Sequence, residues 1–174
     1  MHPIAVRKTL DIRHIVNKAL VSSYDFLSEH FLEQLFTASI KFTPFSSSMR
    51  YEVSVVLSSD YKIQKLNAKY RAKDIPTNVL SFPLHDTKSF DTFSEGELIL
   101  LGDIVLSMET TQREAVAHGV SLEAHTAHLF IHGFLHLLGY EHAQDEEAEH
   151  MEKIETQCLH YLGYEDPYRR TTHA

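Results

Sequence analysis

The stretch LEAHTAHLFIHGFLHLLGYEH, residues 122–142, holds the strongest pattern in the chain. Ser121 before it is a good helix N-cap, and Gly139 lies where helices commonly end in a left-handed residue. At about 100° per residue, four histidines share one stripe and the apolar residues occupy the far side. The histidines are His125, His128, His132 and His136; the apolar residues are Phe130, Ile131, Phe134, Leu137 and Leu138. The pattern predicts a helix that buries one side and lines a cleft with the other.

Three histidines in this stretch have the spacing of metal ligands. On a helix, His132 and His136 lie one turn apart on the same face, and a turn at Gly139 can bring back His142. Three nitrogen ligands leave one tetrahedral position for water, which is typical of catalytic zinc. Structural zinc usually has four ligands, often thiolates, and Cys158 is the only cysteine. We predict one bound Zn²⁺ or another divalent ion; the alternative is that these histidines are polar members of a core helix.

The residue after the first ligand argues against peptide hydrolysis. The spacing H-x-x-x-H-x-x-G-x-x-H is that of the metzincin metalloproteases, in which glutamate directly follows the first histidine. Here that position is Gly133, so the usual general base of those enzymes is missing. Glu141, Asp145 and Glu146 are near in sequence, and Glu141 either orients His142 or stays in solvent.

The rest of the chain predicts short strands and amphipathic helices. Strands are expected at residues 4–8, 51–57, 79–82 and 97–107, the last with a turn or bulge at Gly102-Asp103. Helices are expected at residues 29–40, 60–70, 108–118, 122–138 and about 145–162. Asp60 is the expected N-cap of the second helix, with Ile63, Leu66 and Tyr70 on its buried face. Glu114 and Glu123 are expected to be ordinary solvent-facing charges.

Length and composition predict one globular domain. A chain of 174 residues suits a single core, so we take residues 1–174 as one α+β domain. In this domain a small mixed sheet packs with about five helices, and the metal site lies at a cleft. No apolar run suits a membrane span, no N-terminal signal pattern is present, and a single cysteine favours a reducing cytoplasm. The net charge of −8 restricts any nucleic-acid contact to a local basic patch.

Three blocks of the chain resemble the YbeY family, bacterial endoribonucleases of ribosomal RNA maturation. The blocks are LNAKYRAKDIPTNVLSFP (66–83), LLGDIVLS (100–107) and HGFLHLLGYEH (132–142), and EAEHMEKIE (147–155) also matches. The resemblance implies a metal, zinc being the expected ion, held by the three motif histidines at the end of a cleft. It further implies cleavage of single-stranded RNA, processing of the 3′ end of small-subunit ribosomal RNA, and ribosome quality control.

Arg71 matches an arginine of the family's LNxxYR block. A guanidinium can bind a phosphate through two hydrogen bonds and stabilise charge at phosphorus. Lys69 and Lys73 make a small basic island around it in an acidic protein. We predict that Arg71 is a catalytic and substrate-binding residue; the alternative is a solvated loop with a salt bridge from Arg71 to Asp74.

Further substrate contacts are predicted at Lys73, Thr77 and His128. The alternatives are that Thr77 satisfies buried backbone and that His128 belongs to a partly exposed polar flank. The family often has aspartate at two positions where this chain has Asn78 and Glu141. Both differences leave the three predicted metal ligands intact.

The predicted function is metal-assisted cleavage of single-stranded RNA in the cytoplasm. Ribosomal RNA or the small ribosomal subunit is the expected partner, with no membrane and no DNA. The nucleophile is either metal hydroxide or the RNA 2′-hydroxyl. One rival function is a metalloprotease or amide hydrolase, and another is a non-catalytic ribosome-assembly factor whose metal only stabilises the fold.

Overall fold

The computed structural model describes residues 9–11, 24–45 and 49–169 of the chain. The strands are β1 Thr9–Asp11, β2 Arg50–Ser58, β3 Val79–Pro83 and β4 Leu98–Ser107. The helices are α1 Glu29–Lys41, α2 Asp60–Arg71, α3 Met108–His118, α4 Leu122–Leu137 and α5 Asp145–Tyr161. In these ranges the predicted α+β fold of a small mixed sheet and five helices is confirmed. The strand predicted at residues 4–8 lies outside the described residues, and the single domain over residues 1–174 stays a prediction.

The sheet has the strand order β1-β2-β4-β3. β1 and β2 are parallel, β2 and β4 are parallel, and β3 runs antiparallel to β4. Along β2, the side chains of Tyr51, Val53, Val55 and Leu57 are buried in alternation with partly exposed neighbours. This period of two places β2 against a core on one face, as the β-rich sequence predicts.

A bulge in β4 lies one residue before the predicted position. Glu52 pairs with Leu100, but Val53 pairs with Gly102, so Leu101 is the additional residue on β4. Gly102 has a φ of +131°, and a Cβ there would collide with the carbonyl oxygen of Phe82 on β3. The close approach of β3 and β4 therefore requires glycine at this position.

The two faces of the sheet carry two separate clusters of buried side chains. α2 covers one face through Ile63, which packs with Leu80 of β3 and Val105 of β4. The other face is covered by α1, α4 and α5, with Phe36, Phe130, Phe134, Ile104 and Leu106 among the buried residues. The larger cluster holds α4 rigidly, so its opposite side can present the histidines.

Two details predicted for α2 are wrong. The N-cap is Ser59, whose Oγ accepts from the backbone N–H of Lys62, and Asp60 is the first helical residue. Tyr70 was expected on the buried face but is 56% exposed, and Asn67 is buried instead. The buried residues of α2 are Ile63 and Asn67, and the Asn67 amide donates to the carbonyl of Ile75 at 2.9 Å, which satisfies its burial.

The described part of the chain contains no helix that is both long enough and apolar enough to cross a membrane.

Candidate metal centre

α4 presents its histidines as its sequence predicts. The Ser121 Oγ accepts from the backbone N–H of Ala124 and caps the helix. Phe130, Ile131 and Phe134 are completely buried on the far side. His132 and His136 therefore emerge from a helix whose orientation is set by the core.

The structure brings the three predicted ligands together. His132 and His136 are half-buried, His142 is exposed, and one ring nitrogen of each lies within 4.8 Å of the others. The Nε2 atoms of His132 and His136 are 3.1 Å apart. A cavity of about 380 Å³ opens on His132 and His142, so the centre lies at a cleft, as expected.

The turn after α4 delivers His142. Gly139 has a φ of +93°, the left-handed conformation that reverses the chain. The backbone N–H of Gly139 donates to the His136 carbonyl, and that of Tyr140 donates to the Leu135 carbonyl, both at 3.0 Å. A side chain at Gly139 would also run into Thr87 of the β3–β4 connection.

The same turn and the last helix orient the two helical imidazoles. The Nδ1–H of His136 donates to the Tyr140 carbonyl at 2.8 Å, and the Nδ1–H of His132 donates to the Glu155 carboxylate at 2.5 Å. Because both acceptors lack a proton, each imidazole carries a hydrogen on Nδ1, and its neutral form has a free lone pair on Nε2. Two lone pairs thus face each other at 3.1 Å, a repulsive arrangement that a cation between them would convert into coordination. These residues fit a metal ion.

The protonation states suit metal ligands. Burial, reinforced by the neighbouring His132 and His142, lowers the pKa of His136 to about 4, so its imidazole is neutral near pH 7. Burial acts to raise the pKa of Glu155, but hydrogen bonds from His128 and His132 outweigh it and hold the pKa at about 2. An ionised Glu155 therefore accepts hydrogen bonds from His128 and His132.

Glu155 was missed by the sequence analysis. It is completely buried on α5, and its second carboxylate oxygen accepts from the Tyr168 hydroxyl. A signal was present in the sequence, since Glu155 interrupts an apolar stripe formed by Met151, Ile154 and Cys158. A carboxylate at a core position requires a specific partner.

We expect Glu155→Gln to weaken zinc affinity about 10- to 100-fold, because the amide holds the His132 ring less firmly and makes it a weaker ligand. The dissociation constant is measured by competition with a chelator. Glu149→Gln, which changes an exposed carboxylate on the same helix, is the control and should behave as wild type. Equal affinity of the Glu155 variant and wild type would contradict an orienting role.

Gly133 faces the sheet instead of the centre. A Cβ on Gly133 would lie 3.0 Å from the Oγ of Ser81 and 3.2 Å from a methyl carbon of Ile104. The Ser81 hydroxyl donates to the Gly133 carbonyl at 2.8 Å. Glycine at this position lets α4 pack closely on β3 and β4, which leaves no space for a glutamate side chain.

Cys158 is a core residue. Its thiol is fully buried, donates to the Ala38 carbonyl at 3.5 Å, and burial raises its pKa to about 12. A protonated thiol in the core is no ligand for this centre.

His128 lies between the centre and the C-terminal segment. Its Nε2 is 3.3 Å from the Glu155 carboxylate and 3.0 Å from the Tyr168 hydroxyl. Its ring contacts that of His132 edge-on, with centroids 6.5 Å apart. His128 therefore belongs to the hydrogen-bond network behind His132, whereas its predicted contact with substrate stays a prediction.

The expectation that Glu114 and Glu123 are ordinary solvent-facing charges is wrong. Glu114 accepts from His125 Nε2 at 2.7 Å and from the amide of Asn78, and Glu123 accepts from the Tyr164 hydroxyl at 2.6 Å. His125 is itself buried. Packing of α3 and the C-terminal segment against α4 brings these partners to the carboxylates, and helix periodicity does not contain that information.

Arg71 is the last residue of α2 and is exposed. Its positive charge is the weakest of the named causes that lower the pKa of His136, and its catalytic and substrate-binding role stays a prediction. The alternative salt bridge with Asp74 is not formed, and the Asp74 carboxylate accepts from Gln64 at 3.0 Å instead. Lys73 is exposed and Thr77 is partly buried, and neither has a described contact with the histidines.

The fold and the centre define a class: a small α+β protein whose three histidines can hold one metal ion and leave a coordination position open, as in metallohydrolases. The family model described as Endoribonuclease YbeY matches residues 17–165, and the chain belongs to this family. Members of the family are endoribonucleases of ribosomal RNA processing. The solution structure of TM1509 from Thermotoga maritima is similar at 26% sequence identity and a TM-score of 0.49, covering 78% of this chain and 83% of that chain.

Proposed function

We propose that this protein is a metal-dependent endoribonuclease that cuts single-stranded RNA in the cytoplasm. Its proposed roles are maturation of the 3′ end of small-subunit ribosomal RNA and ribosome quality control. The observation that carries the proposal is the grouping of His132, His136 and His142 in a chain of an endoribonuclease family. Ribosomal RNA or the small subunit is the proposed partner.

Zn²⁺ is the proposed ion, because imidazole nitrogens are ligands that zinc prefers, although such a set also accepts other divalent metals. His132, His136 and His142 would hold it. A bound divalent cation would act as a Lewis acid toward the phosphodiester and would make water more acidic. Glu155 and the Tyr140 carbonyl keep the His132 and His136 rings aimed at one point, and Arg71 binds the scissile phosphate and stabilises its added charge.

Charge on α2 supports an RNA substrate. Residues 60–73 carry five cations and one carboxylate, whereas the whole chain has a formal net charge of −8. The cations are exposed, and Lys65 and Lys69 lie 4.2 and 4.9 Å from the ring centroids of the exposed Tyr61 and Tyr70. Cations beside exposed aromatic rings suit a single strand, whose phosphates need positive charge and whose bases stack. Lys73 is one of these five cations, and Thr77 lies between it and β3 in the sequence.

The metalloprotease alternative needs a carboxylate that can act as general base beside the three histidines. A catalytic glutamate would have to follow His132, but Gly133 packs against Ser81 on the far side of the centre. The Glu155 carboxylate is occupied by His128, His132 and Tyr168. A phosphodiester fits the site better than a peptide does, since Arg71 supplies the positive charge that a phosphodiester needs.

The test compares substrates with one purified preparation. The protein is purified without a histidine-affinity resin, loaded with zinc, and incubated with single-stranded RNA, duplex RNA, single-stranded DNA and casein. We expect cleavage of the single-stranded RNA only, and loss of cleavage with a chelator. Cleavage of casein with intact RNA would reject the proposal, and 2′,3′-cyclic phosphate ends would identify the RNA 2′-hydroxyl as the nucleophile.

A further inference from the structure

A cavity of about 250 Å³ lies directly beside the histidine centre. It is bounded by the start of β3, the end of α3, the first half of α4 and Tyr168, and His132 forms part of its wall. We propose that this cavity binds one nucleobase of an RNA strand whose backbone lies at the histidine centre. The inference rests on the function proposed above and adds a base-binding subsite to it.

The walls of the cavity are made largely of flat rings. His118 and His125 meet edge-on with centroids 5.5 Å apart, and His128 meets Tyr168 in the same way at 5.3 Å. Val79 and Leu129 add aliphatic surface. Unpaired RNA bases are held by such aromatic surfaces, histidine included, because every base has a flat face.

A fixed hydrogen-bond acceptor forms one side of the cavity. The Asn78 amide donates to both carboxylate oxygens of Glu114 at 3.0 and 3.2 Å, and His125 Nε2 lies 2.7 Å from one of them. The His125 side chain is only 7% exposed, whereas that of Glu114 is 32% exposed. The Glu114 carboxylate is therefore held in place by Asn78 and His125, and its side chain remains partly accessible to a ligand.

The chemistry of Glu114 selects a base over a phosphate. A carboxylate repels the RNA backbone, but it accepts hydrogen bonds from the N–H groups of a base. Guanine, adenine and cytosine each present an exocyclic amino group. Uracil presents its N–H between two carbonyl oxygens, which would lie against the carboxylate. The subsite therefore favours bases with an amino group over uracil.

Neither Glu114 nor His125 takes part in the proposed cleavage. Their hydrogen bonds connect α3 and β3 to α4. If these hydrogen bonds were purely structural, the rate of cleavage would not depend on the identity of the RNA base. Dependence on the base therefore distinguishes a subsite from a structural contact.

The test uses short single-stranded RNAs that are cut at one mapped bond. Each nucleotide next to that bond is replaced by the other bases or by an abasic nucleotide, and kcat/KM is measured with the zinc-loaded protein. We expect an abasic nucleotide at one of these positions to lower kcat/KM about tenfold or more. At the same position, uracil should be cut more slowly than the three bases with an amino group.

Two variants assign the effect to the cavity. Glu114→Gln should bring the rates for the four bases toward equality, and His118→Ala should reduce the abasic penalty. His118 is exposed, so we expect its replacement to test the wall with little effect on folding. His30→Ala changes an exposed histidine of α1 and should keep the wild-type base dependence.

Binding and cleavage measurements together distinguish failure of the base subsite from failure of the proposed function. Cleavage at equal rates for all bases and for abasic RNA would overturn the subsite and leave the proposed function standing. Failure to bind or cut any RNA, measured by fluorescence anisotropy and by gel, would overturn both.

Discussion

His136→Ala is expected to abolish stable zinc binding and to reduce RNA cleavage by about a hundredfold or more. Loss of a group that only orients a ligand already costs about 10- to 100-fold, and loss of the ligand itself costs more. His136 is half-buried, is neutral near pH 7, and has its ring oriented by the Tyr140 carbonyl. Its ring is therefore well prepared to bind a metal ion. Metal content by mass spectrometry and cleavage of a fluorescent single-stranded RNA measure the two effects.

His160→Ala is the matched control, because it removes an exposed histidine from α5. It should keep metal content and activity at wild-type values. Thermal unfolding without metal shows whether each variant is folded. A folded His136 variant that still binds one zinc and cuts RNA at the wild-type rate would contradict the centre.

Arg71→Ala should lower kcat about 10²- to 10³-fold and leave zinc content unchanged. Removal of one preorganised group that stabilises transition-state charge has this cost in other enzymes. Arg71→Lys should be intermediate, since the ammonium keeps the charge but loses the two-point hydrogen bonding of the guanidinium. Single-turnover cleavage and metal analysis on the same samples separate catalysis from metal binding.

The Arg71 series also decides between an enzyme and an assembly factor. Arg50→Ala, which changes an exposed arginine at the start of β2, should leave cleavage unaffected. If the protein only stabilised the ribosome, cleavage in the assay would come from a contaminant and would survive Arg71→Ala. Loss of cleavage in Arg71→Ala alone, at full metal content, supports catalysis by this chain.

The ligand set was predictable from the sequence, because it depends on local geometry. His132 and His136 share a face through the helical period, and Gly139 supplies the left-handed residue that brings His142 back. The Ser121 cap of α4 was predictable for the same reason. The prediction failed at Asp60 because serine and aspartate are both good caps, and the extended backbone at Ser59 decides between them.

The residues that orient the metal ligands could not be predicted from local geometry. Glu155 is 23 residues from His132 along the chain, and the two meet only because α5 packs against α4. Glu114 and His125 meet through the packing of α3 against the same helix. Helix periodicity does not specify which helix faces pack against each other. A carboxylate on an amphipathic helix is therefore predicted to be exposed until the packing is known.

The sequence by itself determined the elements of the fold, the three histidines that can bind a metal, and the absence of a protease base at Gly133. These depend on backbone periods and on conformations that a few residues permit. The tertiary structure decided that Glu155 and Tyr140 aim the imidazoles and that Gly133 is a packing residue. The physical reason is that hydrogen bonds and charge interactions act over short distances in space, and only packing brings distant residues within that range.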